Sequence, residues 1–257
     1  MYLNMLSIKG TSYHKLAQTK KVKCRNMSMM LFKKVNIFYL CCFIVITKGS
    51  MKMIKGFVAG LIFANGFEWV AHKYILHGTH RAGKPRFSPV PRSMQSHWEH
   101  HREVRKVEFH DHSYVEGISH WRTRNEIISL AVVAGAASCI FYPISKGMVA
   151  ASVYSAFNYY YIHRRAHLEP IWAKKKIPWH FDHHMNSNQD ANWCVTKPWF
   201  DYILGTRVVS SADLKEQNPL GITLPQVAAS WLSAKVEHFF PVKWVQQQKL
   251  SKVVEVA

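Results

Sequence analysis

Long apolar runs alternate along this chain with charged, turn-rich stretches. The first convincing run is Ile54–Ala71, IKGFVAGLIFANGFEWVA, which at about 1.5 Å per residue is long enough for one helical crossing of a bilayer. Its small residues Gly56, Ala59, Gly60, Ala64 and Gly66 would let another helix approach closely. Two further runs, Ile127–Ile144 and Met148–Ile162, are interrupted by Pro143 and Ser145-Lys146-Gly147, and together they predict a helical hairpin of slightly short spans. A fourth run, Val35–Thr47, is too short for a span of about twenty residues and follows a polar, basic arm. That pairing resembles an uncleaved signal anchor. Residues 1–50 read either so, or as an upstream extension that the working protein does not need. Residues 51–210 form the main unit. Residues 211–257 have mixed composition and one weakly amphipathic segment, QVAASWLSAKVEHFF, expected to lie on a surface. The fold class expected is all-α: an integral membrane helical bundle with a histidine-rich cap.

The hairpin has a topological consequence. A chain that leaves near Asn125 and returns near His163 brings the segments 72–101 and 163–184 to the same side of the membrane. Charge indicates which side. The 257 residues carry 34 Lys and Arg against 15 Asp and Glu, and no acid precedes Glu68. Arg102, Arg105, Lys106, Arg122, Arg124, Arg164, Arg165 and Lys174–Lys176 crowd the histidine side, whereas the hairpin tip carries only Lys146. The positive-inside bias therefore puts that side in the cytosol. Basic charge alone would also suit nucleic acid, but no finger, helix-turn-helix or aromatic RNA-binding pattern accompanies it, and no nucleic-acid partner is expected.

Chemistry concentrates in the histidines. Ten of the sixteen fall in four boxes: His72-x4-His77, His97-x2-His100-His101, His163-x3-His167 and His180-x2-His183-His184. Imidazole is the commonest protein ligand for borderline first-row metals, and residues three or four apart share a helix face. H-x2-H-H is thus expected to aim three rings at one side. His72 and His77 lie about 140° apart on an ideal helix, so they reach one ion only if the helix frays; they are read instead as serving two neighbouring ions. Ten imidazoles exceed what one zinc centre uses and suit a pair of ions. Glu68, one turn before His72, could accept the outer N–H of a ligating ring; His80 and Asp182 are further supporting candidates. His110, His112 and His120 read as surface residues. Trp193, Trp199, Phe200 and Tyr202 are expected at headgroup level. The five cysteines form no C-x-x-C pair and read as reduced thiols.

EWVAHKYILH, SHWEHH, YYYIHRRAH, WHFDHH and TKPWFDYILGTR together resemble the fatty acid hydroxylase and sterol desaturase superfamily of membrane oxygenases, over about residues 60 to 210. The resemblance implies two non-haem iron ions per chain (zinc being possible as isolated) and O2-dependent hydroxylation or desaturation of a lipid C–H bond. It also implies electrons from a separate donor protein, since no haem-binding domain of the cytochrome b5 type is present. The implied ligands are His72, His77, His97, His100, His101, His163, His167, His180, His183 and His184. One division gives His72, His97, His100, His180 and His183 to one iron and the other five to its neighbour. Two other classes have their own signatures. A zinc hydrolase would want H-E-x-x-H, which is absent. A metal-binding or metal-transport membrane protein without oxygenase activity is the non-enzymatic alternative; it would spread its histidines through the bilayer rather than gather them at span ends.

Overall fold

The computed structural model describes residues 53–77 and 92–245, all within one unit of the chain. The expectations for residues 1–50, and for His80, lie outside the described residues. What is described is mostly helical, as an all-α fold requires. The strand content is one short parallel pair, β1 (Val208–Val209) against β2 (Lys243–Trp244).

Helix α1 (Met53–Val70) runs without a break into a π-helical turn, Ala71–Leu76. Helix α2 (Arg92–Lys106) carries the second histidine box. Helix α3 (Trp121–Phe141) opens where the His120 ring accepts from the Arg122 N–H at 3.2 Å, so this exposed-loop histidine is a helix cap. Helix α4 (Lys146–Leu168) follows after the expected break, with Ser145 Oγ accepting from the Gly147 N–H. Two short helices, α5 (Pro170–Lys176) and α6 (Pro178–Met185), each begin on proline, whose fixed φ suits a first turn and whose missing N–H costs nothing there.

Helices α1 and α4 run in the same direction, and small residues set their spacing. Gly60 faces Met148 and Ala151, and a Cβ built on it would stand 2.5 Å from the Ala151 Cβ. Gly147 lies just as tightly against the α1 backbone at Met53 and Phe57. Only residues without a side chain permit this approach. Since α3 connects back between them, the last turns of α1 and α4 and the first turn of α3 meet at one end of the bundle.

Two helical stretches are long and apolar enough to cross a membrane: Met53–Leu76, of 24 residues, and α3, of 21. The third expected span, Met148–Ile162, lies within α4, which is long enough but does not reach the same apolarity; it carries Lys146, Arg164 and Arg165, and buries Gly147, Met148, Ala151 and Ser152. All three helices nevertheless present large apolar side chains outward, among them Ile54 and Val58 on α1, Val132 and Ile140 on α3, and Val153 and Phe157 on α4.

The aromatic segment beyond α6 departs from expectation. Trp193, Phe200 and Tyr202 are buried in the body of the protein instead of standing at an interface. The cause is Asp201 in helix α7 (Trp199–Ile203). Its carboxylate accepts from the Trp193 and Cys194 N–H groups at 2.8 and 2.9 Å and from Thr206 Oγ1 at 2.7 Å, which draws the whole segment inward. The region after residue 210 is fastened to this body as well. Arg207, 1 % exposed, pairs with Asp182 and with Glu216, and donates to the Leu214 carbonyl. Helix α8 (Gln226–Phe239) lies outermost, with Val227, Trp231 and Phe239 exposed.

Candidate metal centre

The ten box histidines are all buried and all meet at the end of the bundle where α1, α2, α4 and α6 converge. Four of them, His72, His77, His101 and His183, form one group; His100, His163, His167 and His184 form a second. In each, the candidate ligand nitrogens lie within 4.8 Å of one another. His97 joins the first group, its Nε2 standing 3.2 Å from that of His72 and 2.9 Å from that of His77. His180 joins the second, 3.2 Å from His167 Nε2. The described residues thus hold two sets of five imidazoles that could each hold a metal ion.

This division differs from the one the resemblance implied. Consecutive residues of an α-helix diverge by about 100°, so His100 and His101 on α2 cannot serve one focus, nor can His183 and His184 on α6. Each H-x2-H-H box is therefore split between the groups instead of aiming three rings at one side. Conversely, His72 and His77 do share a group. The π turn closes with the His77 N–H donating to the His72 carbonyl, an i to i+5 bond. That wider turn brings residues five apart onto one face, with the two ring centroids 5.0 Å apart.

Ring orientation is set by what each Nδ1 touches. His72 Nδ1 donates to the Trp193 carbonyl at 2.6 Å, His183 Nδ1 to Ala191 O at 2.7 Å and His167 Nδ1 to Phe109 O at 2.8 Å. His100 Nδ1 donates to Asp111 Oδ2 and His163 Nδ1 to Glu126 Oε1, both at 2.6 Å. A carbonyl or carboxylate can only accept, so each of these five rings has a proton on Nδ1, and in the neutral tautomer that leaves a bare Nε2 lone pair turned inward. Metal-ligating histidines are held in this way. Among the described residues, Nε2 of His100 and His183 and both nitrogens of His184 have no hydrogen-bond partner, although they are fully buried. A nitrogen that carries a proton has no lone pair to accept with, so the contacts running His72–His97–His77–His101 cannot each have a proton of their own. A cation at their focus satisfies all of them. Metal–nitrogen bonds of about 2.1 Å also place neighbouring ligand atoms about 3 Å apart, as found here.

Electrostatics favour neutral rings. Burial first, and then the neighbouring imidazoles, push His97, His101, His180 and His184 well below the usual histidine value, and burial lowers His183 to about 4. Burial would raise the Asp111 carboxyl, but His100, Arg122 and the Ser113 N–H outweigh it and keep Asp111 below the usual carboxylate range. Water is kept out by aromatic walls. Trp193 packs 5.0 Å from His77 and 5.5 Å from His183, while Phe109 lies 4.4 Å from His167.

Two of the supporting candidates act elsewhere. Glu68 accepts from the Val195 and Thr196 N–H groups and from Thr196 Oγ1, not from His72; its effect on that ring is indirect, through the segment that bears the Trp193 carbonyl. Asp182 faces away from the histidines, accepting from Arg207 and Ser210. The groups that do hold the rings are Asp111, Glu126 and three peptide carbonyls. Tyr114 adds to them, its hydroxyl donating to Glu126 Oε2 at 2.6 Å and standing 2.9 Å from His163 Nδ1. Glu126 had a signal in the sequence, as an acid directly before the apolar run Ile127–Ile144. No protein-family model matches this chain, and neither does any curated protein or solved structure.

Proposed function

We propose that the protein is a membrane-bound di-iron oxidoreductase that uses O2 to hydroxylate, or to desaturate, an unactivated C–H bond of a lipid. The observation that carries this reading is the pair of adjacent buried histidine groups, in which five rings, His72, His100, His163, His167 and His183, have their inward Nε2 fixed by an Nδ1 tether. An alkyl C–H bond offers neither charge nor leaving group, so acid–base side chains cannot break it; an iron pair, when bound, supplies the redox chemistry that can.

The chain's own residues have definite tasks in this reading. The ten histidines bind and space the ions. The Trp193, Ala191 and Phe109 carbonyls, with Asp111 and Glu126, orient the rings and hold the Nδ1 protons. Trp193 and Phe109 exclude water. The apolar outer faces of α1, α3 and α4 lie in the bilayer, so a lipid reaches the metal end without leaving it, and the basic residues beside the histidines keep that end in the cytosol. Electrons come from a separate carrier protein.

The test combines metal content per chain in mild detergent with lipid analysis of a host expressing the protein. Two irons, and a new lipid that gains one oxygen atom or loses two hydrogens, are expected. His101→Ala and His184→Ala should each abolish the new lipid and release metal, whereas His238→Ala, at an exposed position of α8, should change neither. Irons without any lipid change would leave a metal-binding protein; a single zinc would end the di-iron reading.

A further inference from the structure

The two histidine groups are backed by different chemistry. In the second group two rings lean on carboxylates: His100 on Asp111 and His163 on Glu126, each at 2.6 Å. In the first group His72 and His183 lean on peptide carbonyls. A carbonyl offers a partial charge, whereas a carboxylate offers a full one and makes the imidazole behind it a stronger donor to a cation. Asp111 is partly spent elsewhere, since its Oδ1 accepts from Arg122 at 3.0 Å and from the Ser113 N–H at 2.8 Å. Among the described residues no guanidinium pairs with Glu126, and its second oxygen accepts from the neutral Tyr114 hydroxyl. Of the two, Glu126 therefore puts more negative charge behind its ring.

We infer that the two metal positions are unequal: the group His100, His163, His167, His180 and His184 takes the first ion and holds it more tightly, with Glu126 and then Asp111 as the positioning residues that make it so. This rests on the reading of the cap as a two-ion centre, although not on the identity of the metal or on catalysis. Glu126 lies near the start of α3 and Asp111 in the segment that leads into it, so the tighter position is the one tied to the hairpin.

Zinc(II) titrated into the metal-free full chain in mild detergent, followed by calorimetry, reads this directly. Two separate binding steps are expected. Glu126→Gln keeps the shape and the Tyr114 contact but removes the charge; it should weaken the tighter step about 10- to 100-fold and leave the weaker step in place. Asp111→Asn should act in the same direction by less, and serves as the second variant should Glu126→Gln lose its helical circular dichroism. His72→Asn should weaken only the looser step. A tighter step unmoved by both carboxylate variants, or weakened by His72→Asn instead, would overturn the inference while leaving two ions bound. Failure of the unaltered protein to bind two zinc ions would overturn the two-ion centre itself.

Discussion

Three described residues other than glycine carry backbone conformations that side chains rarely adopt: Glu108, at φ 51°, and two that bear on the histidines. Phe109 has φ 79° and Asn192 φ 58°, both left-handed. Asparagine tolerates this region, but for a bulky aromatic it costs on the order of 1–3 kcal/mol. Each lies at a carbonyl that orients a ring: Phe109 supplies its own to His167, and Asn192 separates Ala191 from Trp193, whose carbonyls take His183 and His72. The Asn192 side chain holds that turn by donating to Val208 O at 2.9 Å and accepting from the Val208 N–H at 2.8 Å. Asn192→Ala should therefore cost about 2–4 kcal/mol in denaturant unfolding and also weaken metal binding, whereas Asn192→Gly, free to stay left-handed, should lose less. The ten histidines were legible in the sequence because side-chain identity and helical spacing announce them. Three of their tethers were not, because a peptide carbonyl has no identity in a sequence and its direction here depends on single backbone angles. Acidity bears on the same residues. His183 titrates near 4 when folded against 6.5 when unfolded, so the unfolded chain binds more protons below 6.5. Stability is whole above about pH 7 and drains as pH falls toward 4, by about 3 kcal/mol for His183 alone and in the same direction for His97, His101, His180 and His184. The melting temperature of the metal-free protein should drop steadily as pH falls from about 7 toward 4; a flat profile would mean that the rings are charged or solvated in the fold.

At the scale of elements, the apolar runs marked α1 to within one residue at each end, whereas α3 starts six residues before its run, at Trp121, and α4 continues six residues past its run, to Leu168. The π turn was legible only as a conflict, a five-residue spacing that an α-helix cannot aim at one ion. Resolving it required the i to i+5 bond between His77 and His72. The α1–α4 contact was better forecast, since small residues in an apolar run mark close approach. Gly60→Leu should wedge these helices apart and cost about 1–3 kcal/mol or more in detergent unfolding, with weaker metal binding at the far end. Gly135→Leu on α3, where nothing lies within 4 Å of a built Cβ, should be silent.

At the largest scale the described residues show, two sets of contacts fasten the segments around the histidine cap. The helical hairpin separates boxes that are far apart in sequence, and the ten rings meet at one end of the bundle. What the sequence could not announce is that the region past residue 210 is tied in through Arg207. Glu216 reaches that guanidinium at 2.8 Å, both side chains being nearly inaccessible. Glu216→Ala leaves a buried cation half-paired and should cost about 3–5 kcal/mol, read as a lower unfolding midpoint. In the second set, one face of α1 and the turn that follows it grip residues 193–206. Asn65 donates to the Lys197 carbonyl, Glu68 takes the amides of Val195 and Thr196, Trp69 donates to Thr206, and His72 donates to the Trp193 carbonyl. A strap fastened at four points along one rigid rod cannot peel from either end. Its amides at Val195 and Thr196 should exchange with deuterium together, at one rate matching the interior of α1, and Glu68→Gln should quicken both at once.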